Sequence, residues 1–175
     1  MYARYETQYL RGMSESISTS SAPKPVGSYP HARRVGELLF LSGVGPRIAG
    51  SGSGDSKVPG LEIDDNGKVL QFDFAAQVHA VFANVKAVLE ASGSSWEELV
   101  DVTVFLVNMD RDFSTFNEIY AEYFPSSSAH RPCRTTIEIN CLPTIIAIEL
   151  KCIATVKSPV KSPVKSPVKS PVKSN

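Results

Sequence analysis

A chain of 175 residues with 42% hydrophobic side chains is long enough for one ordinary domain with a real core. Its charges balance at 18 bases and 18 acids, yet Lys157, Lys161, Lys165, Lys169 and Lys173 lie in an acid-free C-terminal stretch, leaving 13 bases against 18 acids in residues 1–156. A body that acidic excludes the clustered positive surface that displaces counterions from nucleic acid.

No apolar run approaches the roughly 18 residues of a membrane span, and the N-terminus lacks the apolar stretch of a secretory signal. A soluble, cytoplasmic protein with no membrane partner is expected. Arg4 and Arg11 fit a mitochondrial presequence, against which Glu6 and Glu15 argue. Cys133, Cys141 and Cys152 form an odd set without a CxxC, so neither a disulfide framework nor a zinc site follows, and all three read as buried small hydrophobes. His31, His79 and His130 are scattered singly, and no HExxH, phosphate loop or dinucleotide fingerprint is present.

In chain order, residues 1–21 read as a loose, disordered arm. Gly36 to Gly43 encloses a short apolar run that predicts a buried strand, and the glycine-rich Ala49–Lys57 predicts a surface loop. Asp73 is placed to cap a helix whose apolar residues Phe74, Val78, Val81, Phe82, Val85, Val88 and Leu89 share one face, with Gly93 past its end. Ser95–Glu98 has capping-box form and predicts a turn of helix. Val102 to Val107 is apolar on both faces, as a central strand requires. A second helix is predicted from Asp112 to Phe124, with Phe113, Phe116, Tyr120, Tyr123 and Phe124 on one side.

Two strands close the domain, Cys133–Ile139 and Ile145–Val156, joined across residues 140–144. Paired antiparallel, they would gather Arg134, Thr136, Glu138, Glu149 and Lys151 on the sheet face away from the helices. From Lys157 the sequence repeats KSPV, and proline at every fourth position predicts a disordered, extended tail. Ser158, Ser162, Ser166 and Ser170 each stand in a Ser-Pro-Val-Lys frame, which reads either as sites for a proline-directed kinase or as a solvated extension. The expected division is an arm at 1–21, a domain at 22–156 and a tail at 157–175.

Several segments together resemble the RidA/YjgF family of imine and enamine deaminases. They are Pro25–His31, Leu39–Gly43, Val104–Met109 with Phe113 and Asn117, Tyr120–Phe124, Arg134–Glu138, Leu142-Pro143 and Glu149. Tyr29–Arg34, Phe105–Met109 and the Arg134-Thr135-Thr136 triplet look most like the 2-aminomuconate deaminase branch. The resemblance implies an α+β, chorismate-mutase-like fold, a sheet with two helices on one face, assembled as a homotrimer with active sites between subunits.

Carried over by position, Arg134 matches the arginine that holds the substrate carboxylate, and Tyr29, Asn117 and Glu149 match other site positions. Many members have cysteine where this chain has Thr136. The chemistry so implied needs no metal or organic cofactor. Arg134 would hold the acid group, Glu149 would activate water and carry its proton, and Thr136 would position that water. Tyr29, Asn117 and His31 would line the substrate. A dicarboxylate such as 2-aminomuconate would need a second cation, drawn from His31, Arg33, Arg34, Arg47 and Arg131. The alternatives are a general 2-iminoacid deaminase that clears products of PLP enzymes, or a non-catalytic trimer serving as chaperone or regulatory scaffold.

Overall fold

The computed structural model describes residues 14–51 and 57–156. One mixed sheet of six strands carries both long helices, and a separate two-stranded hairpin lies beside it. The strands of the sheet are β1 (Ser14–Ile17), β2 (Ala32–Val35), β3 (Leu38–Leu41), β6 (Leu99–Leu106), β7 (Cys133–Glu138) and β8 (Ile148–Thr155), in the spatial order β1-β2-β3-β8-β6-β7. Strands β4 (Leu61–Ile63) and β5 (Val69–Phe72) form the hairpin. No helix among the described residues is long and apolar enough to cross a membrane.

Helix α1 (Phe74–Ala91) starts where Asp73 accepts a hydrogen bond from the Ala76 N–H at 3.0 Å. It stops at Gly93, whose φ of 71° lets the Ser94 N–H return to the Leu89 carbonyl. All seven apolar residues expected on its inner face are buried. Each fully buried valine, leucine or phenylalanine contributes about 1.5–3 kcal/mol of transfer free energy, so this face anchors the helix to the sheet. Helix α2 (Met109–Tyr123) begins three residues before the predicted Asp112, because Asn108 accepts from the Arg111 N–H and supplies the cap. Its buried residues are Asp112, Phe116 and Ile119, whereas Phe113 and Tyr123 are exposed.

Three expectations change. The stretch read as a loose arm contributes β1, which pairs with β2; residues 1–13 and the KSPV tail at 157–175 lie outside the described residues. The Gly36–Gly43 run is buried on one side only, since Leu38 and Phe40 are exposed. Strands β7 and β8 are not neighbours: β7 pairs parallel with β6 at the sheet edge, and β8 inserts antiparallel between β3 and β6. The β6-α2-β7 unit is a parallel crossover, which places its helix on the sheet face.

That topology decides where polar side chains go. Opposite Val102 and Val104 of β6, whose side chains are buried under the helices, stand Arg134 and Thr136 of β7. Opposite Phe105 and Thr103 stand Glu149 and Lys151 of β8. Facing residues share a side of the pleat, so Arg134, Thr136 and Glu138 lie on the helix side and Glu149 and Lys151 on the open side. The single polar face expected from a β7–β8 hairpin is therefore split in two.

Candidate active site

On the helix side, the Arg134 guanidinium lies 4.6 Å from the centre of the Tyr120 ring and 5.5 Å from that of Phe116. Rings that occupy the flat face of a guanidinium leave its edge of N–H donors to a ligand. No described residue accepts a hydrogen bond from that edge. Two neighbouring hydroxyls, Thr136 Oγ1 and the Tyr120 OH, are buried and have no hydrogen-bond partner among the described residues. Burial pushes the Tyr120 hydroxyl up to about 12 even with the Arg134 charge nearby, so it stays protonated at neutral pH. Asn117, one turn before Tyr120 on α2, lines the same open groove.

On the open side, Glu149, Tyr29, Arg47, Gly43 and Thr144 line one narrow crevice. Glu149 belongs to β8, and the Val44–Leu150 bridge brings residues 43–45 alongside it. Burial raises the Glu149 carboxyl above its ordinary range, and the Arg47 charge opposes that rise. Arg47 is itself buried and donates to the Lys24 carbonyl at 3.0 Å. From α1, the Asn84 side-chain amide donates to the carbonyls of Gly45 and Arg47 at 2.9 and 2.8 Å, fixing the loop that frames Glu149.

The residues expected to form one site thus stand as two groups. Arg134 and Asn117 line one groove on the helix side of the sheet, with Thr136 two residues along the same strand face; Tyr29 and Glu149 come together on the other side. His31 has no free ring nitrogen for a substrate. Its Nδ1 accepts from the Thr19 N–H, which leaves Nε2 to donate to the Pro23 carbonyl at 3.0 Å. Of the cysteines only Cys152 is buried, its thiol pushed up to about 12 by burial; Cys133 and Cys141 are exposed.

Tyr120 and Asn84 were missed as functional residues. Tyr120 reads as one more apolar position of α2, and only the parallel pairing of β7 brings Arg134 over it. Asn84 sits on the polar side of α1 with no signal in its local sequence. Among the described residues no three His, Cys, Asp or Glu side chains gather closely enough to hold a metal ion.

A family model described as Endoribonuclease L-PSP matches residues 19–156. The chain belongs to the RidA/YjgF family. Among relatives in this family, the chloroplastic Reactive Intermediate Deaminase A of Arabidopsis thaliana is 37% identical over 81% of this chain and 66% of its own length. The 2-iminobutanoate/2-iminopropanoate deaminase of Salmonella typhimurium is 30% identical over 81% of this chain and 98% of its own. The crystal structure of the Escherichia coli YjgF gene product superposes with a TM-score of 0.67 at 31% identity, covering 82% of this chain and 99% of that one. The α+β fold with a mixed sheet and two helices is the family's fold, and the family includes imine and enamine deaminases.

Proposed function

We propose that this chain hydrolytically deaminates small enamine or imine carboxylic acids, with 2-aminomuconate the favoured substrate, in sites completed by a second copy of the chain in a homotrimer. The observation that carries this reading is the division of labour across the sheet. The free anion-binding edge of Arg134 lies on one side, and a half-buried carboxylate of raised pKa lies on the other. A second copy that docks its open face against the Arg134 groove would bring the two groups together. Phe40 and Ile137 are exposed on the open face, which supplies apolar area for such docking.

Arg134 would hold the substrate carboxylate through paired N–H donors. An enamine first takes a proton on carbon as its nitrogen gives one up, becoming the imine; an imine enters directly. Protonation of the imine nitrogen makes its carbon the electrophile. Glu149 takes a proton from water as the oxygen adds to that carbon, with Thr136 Oγ1 orienting the water. The carbinolamine nitrogen takes the proton Glu149 received and leaves as ammonia, while the hydroxyl proton is released to solvent, balancing the one taken up by the imine nitrogen, and the oxygen becomes the ketone carbonyl. Each turnover consumes one water and releases one ammonia. The reaction written this way calls on side chains alone.

The name of the Salmonella relative favours a second reading, in which the substrates are short 2-iminoacids with one carboxylate. Steady-state ammonia release from 2-aminomuconate against 2-iminopropanoate separates the two. Faster release from 2-aminomuconate is the expected result, and release from neither overturns the deaminase reading.

A further inference from the structure

We infer that Arg131 determines specificity, holding a second acid group of the substrate so that the groove it shares with Arg134 selects dicarboxylates; this rests on the reading of Arg134 as the carboxylate holder. Both guanidinium side chains line one groove beside α2, together with Asn117 and Tyr120, and no carboxylate side chain lines it. Two positive charges that share a groove without an acid repel each other, and a dianionic ligand relieves that repulsion.

The other candidates for a second cation, His31, Arg47, Arg33 and Arg34, each have a partner within the chain. Both ring nitrogens of His31 are used within the chain. Arg47 is buried beside Glu149 and donates to the Lys24 carbonyl. Arg33 and Arg34 lie on β2, four strands from β7, where they donate to Ser14 Oγ and the Gly36 carbonyl. Arg131 is exposed and makes no ion pair among the described residues.

The backbone between the two arginines is stiff. Pro132 fixes its own φ and biases Arg131 toward an extended conformation, and Cys133-Arg134 already belong to β7. Three extended residues span at most about 10 Å. The lining of the groove, not strand alternation, puts Arg131 on the same side as Arg134. A diacid can meet both arginines of this groove at once, and a monoacid can meet only one.

Calorimetric titration of the purified full chain with muconate and with sorbate tests this. Both are six-carbon dienes, the first with two carboxylates and the second with one. The wild type is expected to bind muconate about tenfold or more tightly than sorbate, the worth of one charge-assisted contact. Arg131→Ala should reduce muconate to the affinity of sorbate and leave sorbate unchanged, and Arg131→Lys should keep part of the preference. Equal affinities in the wild type, no measurable muconate binding, or a loss on both ligands alike in Arg131→Ala overturns the assignment. Ammonia release from 2-aminomuconate, measured on the same preparation, reports separately on the reaction. Muconate preference without ammonia keeps Arg131 and removes the deaminase reading; ammonia without the preference does the reverse.

Discussion

The carboxylate of Glu149 fills the space that a side chain on residue 43 would occupy. A Cβ built on Gly43 falls inside van der Waals contact with Glu149 Oε1 and only 2.7 Å from its Cδ. Residue 43 is therefore glycine for room, since the carboxylate of β8 packs directly over the backbone that follows β3. Gly43→Ala should push the end of the flexible Glu149 side chain aside at a stability cost below about 1 kcal/mol, and abolish activity by displacing the carboxylate. Glu149→Ala in the same chain should remove that small cost and restore none of the activity. Thermal denaturation of the two single variants and the double variant checks this. Strict additivity would mean that the two groups do not compete for space.

Glu149 sets the expected pH dependence. Its carboxyl is raised by burial, so the base form appears, and kcat should climb, only above the ordinary carboxylate range. Arg47→Met removes the charge that opposes the rise and should move that limb to higher pH. Stability runs the other way. A carboxyl whose folded pKa is raised contributes stability below its unfolded pKa and loses it as pH rises through the folded value. Glu149→Gln should therefore be inactive, yet more heat-stable than the wild type at neutral pH. Paired melting curves at neutral and acid pH check this, the gap between the two proteins closing in acid.

The periodic parts of this fold were legible in the sequence. Asp73, the seven apolar positions that follow and Gly93 specify α1 without reference to the rest of the chain, whereas β6, expected to be central and covered on both faces, lies one strand from the sheet edge with Val102, Val104 and Leu106 buried and Thr103 and Phe105 only half-buried. Pairing was not legible. Arg134–Thr136 and Glu149 read as one polar face because consecutive strands most often form hairpins. The β6-α2-β7 crossover instead sends β7 to the sheet edge and lets β8 return between β3 and β6. A strand's own residues carry its alternation but not its neighbour, so the sequence named the site residues through resemblance and could not tell that they face opposite ways. The β4–β5 hairpin was missed for a different reason. Its signal is the turn at Asp64–Gly67, where Asp64 Oδ1 accepts from the N–H groups of Asn66 and Lys68 and Gly67 takes a φ of 79°.

Arg134 gains its orientation from the ring beneath it, and that seat can be separated from its charge. Arg134→Ala should lower kcat/KM by about 30-fold to 1,000-fold in a protein that still folds, because a charge-assisted fork is lost from the transition state. Tyr120→Phe keeps the ring and removes only the unpartnered hydroxyl. Tyr120→Leu removes both. If the hydroxyl meets substrate, Tyr120→Phe should already fall well below wild type; if the ring alone matters, only Tyr120→Leu should. Steady-state kinetics of the three variants, with circular dichroism as the control for folding, distinguishes these outcomes.

The placement of Arg134 and Glu149 on opposite faces of one sheet gives the assembly its own test. If each site takes Arg134 from one copy and Glu149 from the next, Arg134→Ala and Glu149→Gln assemblies are each inactive because every site lacks one group. Mixing the two variants, unfolding them and refolding them together produces interfaces at which an intact Arg134 meets an intact Glu149. For random mixing, half the chains contribute each intact group, so about a quarter of the sites in a cyclic assembly should be whole. Ammonia release from the refolded mixture should recover to about that fraction of wild type, while refolding either variant alone recovers nothing. Light scattering on the same samples measures the assembly mass, which a homotrimer sets at three chains. A mixture that stays inactive although the chains have exchanged would show that the two groups do not meet across an interface.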